Sequence, residues 1–292
     1  MKQAHLIDIS AVFFRYYFAP GPSIVTDDGW EVYPLLASLR WLVQPRFIQS
    51  DVTVAAFDES LGTCFRHELD PHYKANRAMP NEDILYQLSL LKSFCEHLGF
   101  VVLAGTEFEA DDYLATSVAL LPEHEVTLHS RDKDLRQLLT TNVIMQDNAT
   151  EAIWDVERLK QEVGLAPNQI VDFLSLVGDA SDFIEGVSGI GVKTATSLLQ
   201  TYGDYQGIYR VIDSNASLSV RGAERIAQSL IDQKDRVLLN RQLIELRKDI
   251  PISLTALPFD QDGYFFVYAL VEQLGLMRPF NKQLEILAGL HQ

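Results

Sequence analysis

The sequence predicts an α/β protein whose mostly parallel sheet carries helices on both faces, followed by a smaller helical region. Three observations lead there. Residues 4–9 (AHLIDI), 52–57 (VTVAAF), 100–104 (FVVLA) and 125–130 (EVTLHS) are short, nearly continuous apolar runs, the pattern of strands buried on both faces. Helix-like segments alternate with them, which favours parallel pairing. From about residue 155 the texture changes to helices and glycine turns.

In chain order, AHLIDI is the first strand and 34–44 (PLLASLRWLVQ) a helix. VTVAAF is the second strand, followed by a helix over 82–98 (EDILYQLSLLKSFCEHL). FVVLA precedes a helix over 110–121 (ADDYLATSVALL), and EVTLHS precedes a short strand near Val143–Gln146. Beyond residue 155, VERLKQEVG, NQIVDFLSLVG, VKTATSLLQTYG and AERIAQSLIDQKDRVLLNRQLIELR have helical periodicity or end in glycine. The stretch 250–292 mixes strand and helix signals and is given no role.

The bulk properties bound the function. The 292 residues are 47% hydrophobic and 22% charged, which describes a soluble globular chain of one large domain or two ordinary ones. Cys64 and Cys95 are the only cysteines; they make neither a disulfide framework nor a ligand pair, which suggests a reducing compartment. Asp8 and Arg15 interrupt anything like a signal peptide, and no apolar run reaches membrane-spanning length. A cytoplasmic protein without a membrane partner is expected. The net charge of −16, taken alone, argues against nucleic-acid binding. A bulk count does not say where the charge sits, however, and bound metal ions reverse its sign locally.

The acids fall where strands end. Asp8 closes the first strand core, Asp58 ends VTVAAFD, and Glu109, Asp111 and Asp112 follow the third strand in TEFEADDYLAT. Asp132 and Asp134 follow the fourth in SRDKDLRQLL. Parallel strands bring their carboxyl ends to one edge, where open α/β sheets bind ligands. Carboxylates converging there repel unless cations join them, and an all-oxygen set selects hard ions such as Mg²⁺ or Mn²⁺. A competing reading of TEFEADDYLAT is helix capping by first-turn acids, although one acid would suffice for that.

Two further constellations join this one. Asp179 and Asp182 lie three apart just before GVSGIGVKTA, where Gly189, Gly191 and the following helix N-terminus suit a phosphate, with Lys193 nearby. In FRHELDPHYKANR, Arg66, Lys74 and Arg77 surround Tyr73, a combination suited to phosphate pairing and base stacking. Arg221, Arg225, Lys234, Arg236, Arg241, Arg247 and Lys248 form a second local basic excess.

EADD, the DKD of SRDKDLRQLL, GDASDFIEGVSGIGVKTA and FRHELDPHYKANR together resemble the bacterial 5′→3′ exonuclease and flap endonuclease family, over about residues 4–250. The resemblance implies a PIN-like (Rossmann-like) nuclease domain over 1–160 with a helical arch near 66–90. It also implies a helix–hairpin–helix (H3TH) DNA-binding domain over 161–250 and leaves 251–292 as a C-terminal extension. Carried over by motif, Asp8, Asp58, Glu109, Asp111, Asp112, Asp132 and Asp134 are expected metal ligands of the core, and Asp179 and Asp182 those of the hairpin. Lys74 and Arg77 are the expected catalytic cations. Arg66, Tyr73, Lys74, Arg77, Gly189, Gly191 and Lys193 are the expected DNA-binding residues, with Tyr73 stacking on a terminal base. The implied activity is divalent-metal-dependent hydrolysis of DNA at 5′ ends, flaps or nicks, by a monomer with two Mg²⁺ or Mn²⁺ ions, in replication and repair.

The chain departs from the family pattern at three places. Ile9 stands where the family has glycine after its first aspartate. Phe183 and Glu185 stand where the hairpin motif SDN(I/L)PGV has asparagine and proline; both changes count against the K⁺ site that family members form in this hairpin. Two rival readings stay open: a DNA-structure-binding member with weak or lost nuclease activity, and a small-molecule phosphohydrolase. The second lacks the aspartate expected two residues after the first, where Ser10 stands.

Overall fold

The computed structural model describes residues 2–26 and 29–290. Strands β1 (Lys2–Asp8), β2 (Val52–Ala56), β3 (Val101–Leu103), β4 (His124–His129), β5 (Val143–Gln146) and β6 (Ile153–Trp154) form one sheet. Their order is β3-β2-β1-β4-β5-β6. All pair in parallel except β6, which runs antiparallel to β5. Chain direction across the sheet reverses between β1 and β4, so the ligand crevice of such sheets lies outside their carboxyl ends.

The continuous apolar strands are explained by two cores on opposite faces. Leu6 and Ile7 are both 0% exposed, yet Leu6 joins the core with Val54, Leu114 and Leu128, while Ile7 joins Ala55, Leu36 and Phe94. Successive strand residues point to opposite faces, so both must be apolar when both faces are covered. The first core also takes Leu174, Leu243 and Ile244 from the helical region. A third core gathers Leu176, Leu198, Leu199, Ile208 and Leu230 within that region.

Several elements differ from the sequence expectation. Helix Ile9–Tyr17 follows β1 without a loop, because Asp8 is both the last strand residue and the helix N-cap, accepting Ala11 N at 2.9 Å. Ile9 is buried in the second core. The long segment 223–247 is two helices, Ala223–Asp232 and Lys234–Ile244, separated at Gln233. Residues beyond 260 form helices Gln261–Gln273 and Met277–Leu290. Their Val267, Val271, Phe280 and Leu287 pack into the second core, and Phe266 stacks on His97 with ring centroids 3.4 Å apart. The expected arch segment is a short helix, Phe65–Leu69, a run of turns, and the start of helix Glu82–His97.

Helix Ile170–Val177 ends at Gly178 and leads into a two-stranded ribbon, Gly178–Asp179 with Ile184–Glu185, ahead of helix Val192–Tyr202. The ribbon approaches the helix end too closely for side chains. A Cβ on Gly178 (φ +84°) would lie 2.4 Å from Gly186 N, and one on Gly186 would lie 2.2 Å from Val177 O. Glycine at these two positions is what lets Asp179 and Asp182 swing toward the sheet edge. Among the described residues, no helix is long and apolar enough to cross a membrane.

Candidate active site

The floor of the site is built at the switch point. Ser130, one residue past β4, donates its hydroxyl to Asp8 Oδ2 at 2.9 Å, and Asp132 N donates to the Ser130 Oγ at 3.1 Å. Asp134 N in turn donates to Asp132 Oδ1 at 2.9 Å. Asp58 accepts Ser60 Oγ at 2.8 Å. Asp8, Asp58, Glu109 and Asp132 line a single cavity of about 1090 Å³ together with Lys74 and Arg77.

The acids divide by whether neighbouring cations and hydrogen bonds outweigh burial and like charge. Burial pushes the Asp8 carboxyl up to about 6, and Asp132 and Asp58 add to the rise against hydrogen bonds from Ala11 and Ser130. Burial, then the neighbouring charges of Asp132 and Asp8, hold Asp111 well above the usual carboxylate range. Asp134 is raised in the same way by burial and by Asp132, Asp182 and Asp179, and burial also raises Asp132. Glu109 goes the other way: burial opposes its charge, but Lys74 and Arg66 outweigh burial and lower its pKa. Asp179 is also lowered, because Lys133 and Ser181 overcome its burial.

The arch segment supplies the cations. Lys74 Nζ lies 2.6 Å from Glu109 Oε1 and 3.7 Å from Asp182 Oδ2, and Arg77 Nη2 lies 2.7 Å from Asp182 Oδ1. Burial works against the Lys74 charge, but Glu109 and Asp182 outweigh it and hold the ammonium above its ordinary pKa. Lys133, in the DKD motif, pairs with Asp179 Oδ1 at 2.7 Å. The sequence reading passed over Lys133, Ser130 and Ser181; the DKD spacing was the available signal for the first.

Three of the expected site residues sit in buried pairs. Arg66, expected to bind DNA, is 1% exposed. Its guanidinium is spent on Asp112 (2.6 and 2.7 Å), Glu109 (3.2 Å) and the Leu243 carbonyl (2.6 Å). Asp112, expected to bind metal, is 0% exposed, and both its oxygens are taken by Arg66 and by the Glu109 and Arg247 amides. Its bond from Glu109 N is one half of a capping box, so the capping reading holds for Asp112 and not for Asp111. Tyr73 is 4% exposed, with its hydroxyl donated to Glu109 at 2.8 Å and Asp182 at 3.2 Å. In this arrangement its ring has no face for a base.

A metal fits the second acidic group. Asp134, Asp179 and Asp182 are buried, and each offers one oxygen within 4.8 Å of the others. Asp134 Oδ1 is buried with no hydrogen-bond partner among the described residues, an expensive arrangement for a bare carboxylate. An all-carboxylate donor set suits a hard divalent cation. The hairpin is a separate feature. Gly189 has φ +82°, Gly191 caps helix Val192–Tyr202, and Lys193 is exposed. Arg225 Nη2 lies 3.8 Å from where a Gly189 Cβ would stand, which adds a cation to this cradle.

Two family models match the chain: "5′-3′ exonuclease, N-terminal resolvase-like domain" over residues 3–164 and "5′-3′ exonuclease, C-terminal SAM fold" over residues 165–262. The chain is 31% identical over 260 residues to the 5′-3′ exonuclease of Buchnera aphidicola subsp. Schizaphis graminum, covering 87% of this chain and 90% of that one. It is 35% identical over 263 residues to DNA polymerase I of Treponema pallidum, covering 86% of this chain and 25% of the polymerase. Among solved structures, the T5 5′-exonuclease with bound divalent zinc superposes with a TM-score of 0.66 at 20% identity, over 100% of both chains. The catalytic core of Rad2 in complex with DNA substrate does so at 0.63 and 14%, over 99% of this chain and 92% of the other. These two structural likenesses bear on the fold alone.

Proposed function

Because the chain belongs to the 5′-3′ exonuclease family, we propose that it is a divalent-metal-dependent nuclease that hydrolyses DNA phosphodiester bonds at 5′ ends and flaps. One observation carries the reading: acids from β1, β2, helix Ala110–Leu120, the segment after β4 and the hairpin turn converge, with arch cations laid across them. Asp8, Asp111 and Asp132, with Asp58 and Glu109 beside them, would hold one ion. Asp134, Asp179 and Asp182 would hold the other. Bound Mg²⁺ or Mn²⁺ supplies charge neutralisation and a water of lowered pKa.

The chain's own residues do the rest. Ala11 N and Ser130 Oγ orient Asp8, Tyr73 and Arg66 orient Glu109, and Ser181 orients Asp179. Lys74 and Arg77 would exchange their carboxylate partners for oxygens of the scissile phosphate and stabilise the charge that builds there. Gly189, Gly191 and Lys193, joined by Arg225, would hold a phosphate of the duplex farther from the cut. We place a nuclease domain over 1–160 and an H3TH domain over 161–250, acting as a monomer in the cytoplasm during replication and repair.

The test is cleavage of 5′-labelled flap, nicked, blunt and single-stranded DNA by wild type and Lys74→Ala, in Mg²⁺, Mn²⁺ or EDTA. Metal-dependent products from the flap or nick, reduced about 10²-fold or more in Lys74→Ala, support the reading. Tight flap binding without any turnover in either metal supports the DNA-structure-binding alternative.

A further inference from the structure

The turn between Asp179 and Ile184 is where the arch segment sits down. Lys74 N donates to Asp182 O at 2.9 Å, Asn76 Nδ2 to Ala180 O at 3.2 Å, and Arg77 Nη2 to Asp182 Oδ1 at 2.7 Å. Within the turn, Asp182 N reaches Asp179 O at 3.2 Å, and Ser181 bonds Asp179 Oδ1 through both its amide and its hydroxyl. On this fixed turn stands Phe183, with φ +59° and half of its surface exposed (51%).

Neither local conformation nor packing accounts for phenylalanine there. The left-handed region is costly for a residue with a Cβ and a bulky ring, whereas asparagine enters it readily. A buried ring could offset that cost by packing, but half of this one faces solvent. Among the described residues it meets no other aromatic ring and no cation. Non-glycine residues in such conformations persist where surrounding bonds over-determine them, and they cluster at functional sites. Tyr73, the aromatic in the arch itself, is walled in. The ring that stays open to solvent is Phe183, one residue after the Asp182 that Lys74 and Arg77 engage.

We infer that Phe183 stacks on an unpaired nucleobase of the DNA, one step from the phosphate that Lys74 and Arg77 engage. The inference deepens the nuclease reading and rests on it. A half-exposed apolar ring on the residue that follows Asp182, to which Lys74 and the 47% exposed Arg77 side chain are paired, matches the pairing by which proteins grip single strands: cations for the backbone, aromatics for the bases. Every base has a π-face, so such a contact would favour unpaired nucleotides without choosing among sequences.

The experiment uses the full chain in EDTA with a 5′-flap duplex carrying 2-aminopurine at successive flap positions, and compares wild type, Phe183→Asn and Phe183→Trp. Wild type should change the fluorescence of one position more than its neighbours. Phe183→Asn should lose that signal and bind the flap about tenfold more weakly. It should also melt at a higher temperature than wild type, because asparagine relieves the backbone. Phe183→Trp should keep both signal and affinity. Equal affinity and signal in Phe183→Asn and wild type, with wild type cleaving the flap in Mg²⁺, overturns the stacking role and leaves the nuclease reading standing. Wild type that neither binds nor cleaves the flap overturns both.

Discussion

Arg66 and Asp112 form a two-pronged ion pair, at 2.6 and 2.7 Å, in which neither residue is more than 1% exposed. The same guanidinium reaches Glu109 and the Leu243 carbonyl, so one side chain pins the arch, helix Ala110–Leu120 and helix Lys234–Ile244 together. Removing one member of a buried pair leaves the other charge uncompensated. Arg66→Met should therefore lower stability in urea unfolding by about 3–5 kcal/mol. The double change Arg66→Met with Asp112→Leu should recover most of that loss. A cost for Arg66→Met below about 1 kcal/mol, the range of exposed pairs, would show that the pin is not structural.

Asp111, one residue earlier, should behave in the opposite way. It faces Asp132 and Asp8, which with burial raise its pKa, so Asp111→Asn removes a repulsion. Thermal melts in EDTA should place this variant above wild type, while its cleavage in Mg²⁺ is lost. A lower melting temperature with cleavage intact would mean that Asp111 serves the helix N-terminus instead.

The raised acids give the stability of the metal-free protein a pH dependence of definite sign. A carboxyl whose pKa is higher in the folded chain binds more protons there than when unfolded, so its contribution is greatest at low pH and is lost as pH rises through the folded value. For Asp8 that window runs from its ordinary 3.8 to about 6, and Asp111, Asp132 and Asp134 act in the same direction. Glu109 and Asp179, with lowered values, work against it only at more acid pH. His5 and His129, whose pKa values burial lowers, oppose this between pH 7 and pH 5. In EDTA the melting temperature of wild type should therefore move upward relative to that of Asp111→Asn on going from pH 7 to pH 5. Saturating Mg²⁺ should flatten or reverse the trend, since the ion binds the deprotonated acids. A wild-type melting temperature that falls relative to that of Asp111→Asn over this range in EDTA would contradict the placement of these acids.

Glu185 projects from the ribbon with its side chain 81% exposed and 4.0 Å from Arg236. Its charge opposes phosphate approach to a surface that otherwise carries Lys193, Arg225 and Arg236. Glu185→Gln should tighten DNA binding by about threefold at low salt, with the gain shrinking as salt is added. Titrations at two salt concentrations check this, and weaker binding by the variant would show that Glu185 helps to form the cradle.

Much of the sheet was legible because burial on both faces writes itself as unbroken apolar runs, and the acids at its carboxyl edge were legible because each follows such a run. Helix Ile9–Tyr17 was not, since no loop separates it from β1 and Asp8 serves both elements. The fates of Asp111 and Asp112 could not be told apart in one dimension. They are adjacent in sequence but about 100° apart around their helix, which turns one toward Asp8 and Asp132 and the other toward Arg66. Arg66 and Tyr73 likewise read as free binding groups because sequence displays charge and aromaticity without showing what is paired. The helices beyond residue 260 declared themselves only through packing, where Val267, Val271 and Phe280 meet the core behind helix Glu82–His97.

The central claim is that two groups of carboxylates, one from the sheet edge and one completed by the hairpin turn, hold the divalent ions used in cleavage. Single-turnover cleavage of a 5′-flap duplex across a Mg²⁺ titration, in wild type, Asp111→Ala and Asp179→Ala, tests it most directly. Both variants should lose at least about 10²-fold in rate, and Asp179→Ala should also need more Mg²⁺ to reach half its maximum. Rates and Mg²⁺ dependence equal to wild type in both variants would contradict the assignment.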